Sequence, residues 1–334
     1  MVTHWVSGCK QHNMHYDVFN GDADGIIALH QLRLLSPKPE ATLITGVKRD
    51  IRLLDKISTV HNSTITVLDI SLDSNRQPLL QLLQAENTIT YIDHHFAGDI
   101  PASPNLTTHL DPSPTTCTSL IVDKLLNGKY RSWAVAGAFG DNLHDSALQA
   151  AAILNLSPEQ LDALQELGEL LNYNGYGADL PDLHFTPDAL FRSLQDYSDP
   201  FLFMEKSADL AVLREGFQKD MAQAMEQPEM DNTTHNRMYS FPDAPWARRV
   251  AGVFSNLRAR ERKDAAHALI VENSDKTLRI SVRAPLNDRK DADTLCLSFP
   301  TGGGRKAAAG INSLPAEMLD DFIARFHSTY SSSS

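Results

Sequence analysis

Over the first 95 residues, four short apolar runs alternate with stretches of helical length, and this alternation most restricts the fold. Residues 16–19 read as a strand, and residues 25–35 (GIIALHQLRLL) have helical length and periodicity. Residues 41–47 (ATLITGV), 65–68 and 88–92 (TITYI) read as further strands, with a helix over about 78–85 between the last two. Strands that alternate with helices connect by right-handed crossovers and lie parallel in one sheet. The carboxyl ends of such strands line a single crevice. Asp22 and Asp24 follow the first run, Asp69 ends the third, and Asp93, His94 and His95 end the fourth. Residues far apart in sequence are therefore expected to meet at one site.

Beyond this region, residues 131–139 (RSWAVAGAF) run into Gly140-Asp141-Asn142, a further acidic position. Helices are predicted over 145–154, 158–171 and 187–194, with a loop over 172–182 and helical spacing over 203–225. A polar stretch at 196–201 marks a boundary. The C-terminal part opens near Asn236 with a helix over 250–262. Strands at 266–271 and 277–284 pair across 273–276, and a last helix covers 315–326. The predicted organisation is a parallel-sheet α/β domain over 14–195 with helices on both faces, a helical linker over 196–235, and a smaller α/β domain over 236–330. The serine tail, 331–334, is predicted to be disordered.

A chain of 334 residues has length for two cores, and no apolar run approaches the roughly 20 residues that span a bilayer. The N-terminus has no secretory pattern, so the expected location is cytoplasmic and no membrane partner is expected. Cys9, Cys117 and Cys296 are too few and too scattered for a disulfide framework. Cys9 lies near His4, His12 and His15, but a loose leader is the preferred reading there. The net charge of −12 disfavours a binder of long duplex nucleic acid. It is unevenly spread: residues 237–306 hold 14 Lys or Arg against 8 Asp or Glu, a local excess of +6 that leaves −18 on the rest. An acidic body with a basic C-terminal part suits a metal site paired with an anion-binding module, and equally a solvated basic surface.

Taken alone, Asp22-Ala23-Asp24-Gly25 is a helix-capping pattern before it is a metal motif. Asp69 alone is likewise a turn former. Asp93-His94-His95 is more specific, because carboxylate oxygen and imidazole side by side suit manganese, zinc or iron. Gathered at strand ends, Asp22, Asp24, Asp69, His94 and Asp141 would form a costly cluster of negative charge that divalent cations relieve. Further on, Gly302, Gly303 and Gly304 let backbone amides approach an anion, and Arg305 and Lys306 follow at once. Together they favour phosphate binding over a plain flexible turn.

With these pieces in place, the sequence resembles the DHH phosphoesterase superfamily with its DHH-associated C-terminal domain. The matching segments are FNGDADG (19–25), VLDIS (67–71), IDHH (92–95), GAFGDN (137–142) and GGGRKAAAG (302–310), in the family's order over most of the chain. The resemblance implies a manganese-dependent hydrolase of phosphodiesters or phosphoanhydrides with its active site between two domains. It implies two divalent cations held by Asp22, Asp24, Asp69, His94 and Asp141, with Asp69 bridging. Asp93 would orient its neighbours, His95 would contact the scissile phosphate, and Arg283 would reach substrate phosphate. Three positions depart from the pattern. Val18 stands where some members carry histidine, Asn20 where others carry aspartate or histidine, and Arg305 where histidine usually follows the glycines. Asn20 is an uncharged donor that would hold one metal more weakly, and Arg305 is suited to binding but not to proton transfer.

The layout is similar to the short-oligonucleotide branch, the nanoRNases. The expected substrate is a short oligoribonucleotide or dinucleotide, cleaved to mononucleotides without a covalent nucleophile. Three other classes remain open. One is a phosphodiesterase or phosphatase for cyclic dinucleotides, 3′-phosphoadenosine 5′-phosphate or single-stranded DNA. Another is a catalytically silent nucleotide-binding regulator. The third is a structural protein whose acids merely cap helices. A homodimer is also left open.

Overall fold

The structure, a computed structural model, describes residues 14–331. Cys9, His4 and His12 of the N-terminal cluster lie outside the described residues, as do residues 332–334 of the serine tail. The chain forms two compact units. The first comprises the residues up to Gly175 and Phe185–Leu210, the second Tyr176–His184 and the residues from Ala211 onward. The predicted linker, 196–235, is thus shared out between them.

The first unit begins with β1 (His15–Phe19), α1 (Ala23–Leu35), β2 (Thr42–Ile44), β3 (Thr64–Leu68), α2 (Arg76–Gln84), β4 (Thr88–Asp93) and β5 (Leu106–Leu110). Its sheet is parallel throughout, in the order β2-β1-β3-β4-β5, as the βαβ alternation requires. One sheet face buries Val18, Ile65, Val67, Ile89 and Tyr91 against Leu79 and Leu82 of α2 and a short 3-10 turn at Leu53–Ile57. The other face carries α1 and α3 (Thr118–Leu125). Around α1 gather α4 (Arg131–Gly140), α6 (Pro158–Gly175) and α7 (Pro187–Leu194), with α5 (His144–Ala151) against α4 and α8 (Pro200–Lys206) against α6. The predicted loop at 172–182 is therefore helical over its first four residues.

The second unit contains nearly all of α9 (Ala208–Met225), which the expectation of one helix over 203–225 had joined to α8; the extended backbone of Ser207 separates them. Then come β6 (Glu229–Asn232), β7 (Asn236–Phe241), α10 (Pro245–Glu261), β8 (Ala266–Glu272), β9 (Leu278–Arg283), α11 (Ala292–Leu297), β10 (Gly302–Arg305), β11 (Ala308–Leu314) and α12 (Leu319–Tyr330). The sheet order is β10-β11-β9-β8-β7-β6, antiparallel except between β7 and β8. One face packs on α11 and α12 through Ile280, Val282, Ile311, Phe322 and Phe326, while α10 covers β8 and β9 from the other. The fold class is the α/β pair expected from the sequence. Among the described residues no helix is long and apolar enough to cross a membrane.

Candidate metal centre

The parallel register brings the acids together. Phe19 pairs with Leu68, and Leu68 with Ile92, so the residues that follow β1, β3 and β4 emerge at one level. Asp22 caps α1, its Oδ1 accepting from the Gly25 N–H at 3.0 Å, and Asp24 lies in the first turn. Asp69 follows β3 with φ of +59°, a left-handed conformation uncommon for a non-glycine residue. Such strain is tolerated where the surroundings over-determine it; here the Asp69 N–H donates to Ile92 O at 3.1 Å and its Oδ1 accepts from Thr118 Oγ1 at 3.0 Å. Asp141 caps the C-terminus of α4, which packs on α1 and so delivers a residue over a hundred positions away to the same place.

All seven predicted acids and imidazoles of this region meet here. His94 Nε2 lies 3.5 Å from Asp69 Oδ1 and 3.8 Å from Asp141 Oδ2. Donor atoms of Asp24, His94 and Asp141 lie within 4.8 Å of one another, and so do those of Asp69, His94 and His95. Asp24 is fixed by the start of α3, where the N–H groups of Thr118 and Ser119 each donate to one of its oxygens at 2.7 Å. Asp93 Oδ1 lies 2.7 Å from His95 Nδ1, a hydrogen bond that fixes the ring.

The electrostatics are those of a centre short of positive charge. Burial and then Asp24, Asp22, Asp141 and Asp93 push the Asp69 carboxyl well above its usual range. Burial and Asp24 raise Asp141 to about 6, although Lys48 and His94 oppose the shift. For Asp22, burial also disfavours the charged form, but the Lys48 ammonium outweighs it and lowers the value. For His95 burial works downward, and the hydrogen bond to Asp93 prevails and raises it. Asp93 Oδ2 is buried and accepts no hydrogen bond from the described residues. Hard carboxylate oxygens, an imidazole and an orphaned buried acceptor fit a divalent cation, and these residues can hold one.

Two participants escape sequence reasoning. Lys48, after the second apolar run, places Nζ 2.6 Å from Asp22 Oδ2 and 3.8 Å from Asp141 Oδ1. Asn172, in the last turns of α6, accepts from that ammonium at 3.0 Å. Lys48 follows the second apolar run as the acids follow theirs, but its positive charge makes it no candidate ligand. Asn20 has a different task. Its Oδ1 accepts from the Asp22 N–H and its Nδ2 donates to Lys48 O, both at 3.3 Å, so it braces two loops.

Arg283, Gly302, Gly303, Gly304 and Arg305 belong to the second unit. The glycines form the edge strand β10 rather than a concave loop. Adjacent strand amides point in alternate directions and do not converge as in a nest. Gly304 has φ of +140°, and a Cβ there would lie 2.4 Å from Ala309 Cα, so the glycine serves the hairpin with β11. Register sets Arg283, Ala308 and Arg305 in one cross-strand row, which puts both arginines on the same sheet face. Arg283 Nε donates to Asn256 Oδ1 of α10 at 2.8 Å, and Arg305 is exposed.

No protein-family model matches the sequence, and no curated protein is significantly similar to it. Among solved structures, the chain is similar to an exonuclease RecJ bound to manganese. The two share 14% identity and a TM-score of 0.60, over 97% of this chain and 92% of that one. It is also similar to RecJ from Thermus thermophilus in complex with Mn2+, at 16% identity and a TM-score of 0.61, over 96% of this chain and 52% of that one. A third is the pGpG-specific phosphodiesterase PggH from Vibrio cholerae, at 12% identity and a TM-score of 0.55, over 95% and 98% of the two chains. These likenesses are of fold, and the fold is the one that resemblance to the DHH phosphoesterases implies.

Proposed function

We propose that this protein is a metal-dependent phosphodiesterase that hydrolyses short oligoribonucleotides, dinucleotides above all, to mononucleotides. The observation that carries the reading is the meeting of Asp24, Asp69 and His94, which follow in-register strands, with Asp141 from the end of α4, and with Asp93 Oδ2 buried and without a hydrogen bond from the described residues beside them. A manganese-class divalent cation on these residues would supply an activated water and offset charge on the phosphoryl group. The chain's own side chains do the rest. Asp93 fixes the His95 ring through Nδ1, which leaves Nε2 of this exposed side chain for a phosphoryl oxygen. The N–H groups of Thr118 and Ser119 and the Thr118 hydroxyl hold Asp24 and Asp69 in place. Arg283 and Arg305, on one face of the second sheet, are proposed contacts for further substrate phosphate.

A preference for dinucleotides is supported by the acidic chain, which disfavours long polyanions, and by the likeness to a pGpG-specific enzyme. Incubation with manganese and a 5′-phosphorylated diribonucleotide should release mononucleotides, faster than longer RNA or single-stranded DNA is cut. Asp69→Ala should abolish the release. No product at any protein concentration would overturn the proposal. It would favour the silent nucleotide-binding reading, for which the ion pair of Lys48 with Asp22 is the supporting observation.

A further inference from the structure

The two-cation expectation meets an obstacle at Lys48. Asp22 already faces a cation: its Oδ2 takes the Lys48 ammonium at 2.6 Å, while its Oδ1 takes the Gly25 N–H at 3.0 Å. Neither converging donor group includes it; both are built from Asp24, Asp69, His94, His95 and Asp141. Asn20, the other side chain expected on that side, spends its amide on two backbone groups. Asp141 spans both positions, with Oδ1 toward Lys48 and Oδ2 toward His94, each at 3.8 Å. We propose that the Lys48 ammonium stands permanently in place of one divalent cation, so that the centre takes a single manganese-class ion on Asp24, Asp69, His94 and Asp141.

Local structure supports a fixed lysine. Its N–H donates to Gly175 O at 2.9 Å, its carbonyl accepts from Asn20 Nδ2, and its ammonium donates to Asn172 Oδ1 at 3.0 Å. The backbone is held on both sides and the charge is surrounded by acceptors. Charge balance agrees. Against the four carboxylates of Asp22, Asp24, Asp69 and Asp141, the ammonium and one divalent ion leave one negative charge. A second divalent ion would have to sit beside the ammonium against like-charge repulsion.

This inference rests on the metal-centre reading, and counting ions separates the two. Chelator-stripped protein titrated with MnCl2 by calorimetry should bind one Mn2+ per chain and show the electron-spin-resonance spectrum of an isolated ion. Lys48→Met should bind two and show spin coupling between them. Two ions in the unaltered protein would overturn the role of Lys48 and leave the metal centre standing, as would a Lys48→Met variant that still binds one. No ion in the unaltered protein would overturn both. Should Lys48→Met fail to fold, the count on the unaltered protein decides.

Discussion

His30 is buried on α1, its Nε2–H donating to Tyr197 O at 2.9 Å and its ring edge-on to Trp133. Burial lowers its pKa from 6.5 to about 4, with the Tyr197 carbonyl opposing. Above about pH 6.5 the ring is neutral in folded and unfolded chains, and its packing counts in full. Between pH 6.5 and about 4 the unfolded chain takes up a proton that the folded one refuses. Stability then falls with pH by up to about 1.4 kcal/mol per unit, on the order of 3 kcal/mol in all. Gln can keep the donor to Tyr197 without titrating. The stability advantage of the unaltered protein over His30→Gln, measured by urea unfolding at pH 7, 6 and 5, should therefore shrink stepwise; a constant difference would refute the shift. The residues of the metal centre were legible for a related reason. Singly, such acids read as caps or turn formers, but their recurrence after successive apolar runs made Asp22, Asp24, Asp69, Asp93, His94, His95 and Asp141 stand out as a set. Lys48 did not, because its positive charge makes it no candidate ligand, and Asn172 did not, because an asparagine in a helix is ordinary until the tertiary fold aims it at Lys48.

At the scale of elements, patterning found strands and helices whose faces differ and missed those whose faces do not. In α4 every residue from Trp133 to Gly140 is buried, so its apolar run has no helical period to read. The edge strand β5 is half exposed and rich in threonine, and β10 is three glycines and an arginine; neither has an apolar alternation. The α4–α6 contact depends on small residues: a Cβ at Gly168 would lie 2.1 Å from Ala136 O and 2.7 Å from Gly140 N, backbone atoms that cannot swing aside. Gly168→Ala must push α6 off α4, at a cost of about 1–3 kcal/mol. It should also move Asn172, one turn along, away from Lys48. Gly252, mid-way along α10, is the control, since a Cβ there meets nothing within 4 Å. Gly252→Ala should be neutral to stabilising, by up to about 1 kcal/mol. Thermal melts of the two variants would expose an error if Gly168→Ala proved as stable as Gly252→Ala.

For the whole molecule, charge and metal donors divide between the units. Every donor of the centre lies in the first unit, and the basic excess over 237–306 lies in the second. The first unit therefore folds against the mutual repulsion of buried carboxylates, the repulsion that raises Asp69 and Asp141. A bound cation relieves it only in the folded chain, so Mn2+ at about a hundred times its dissociation constant should stabilise that unit by about 2.7 kcal/mol. The second unit holds its own core of Ile280, Val282, Phe322 and Phe326, with no donor of the centre among them. Hydrogen exchange followed by mass spectrometry resolves the two. Manganese should slow the most protected amides of β1, β3, β4 and α4, chelator should restore them, and β8, β9 and β11 should exchange at one rate throughout. Equal slowing in both units would mean that the cation acts on the chain as a single cooperative body, and no slowing in either would remove the centre itself.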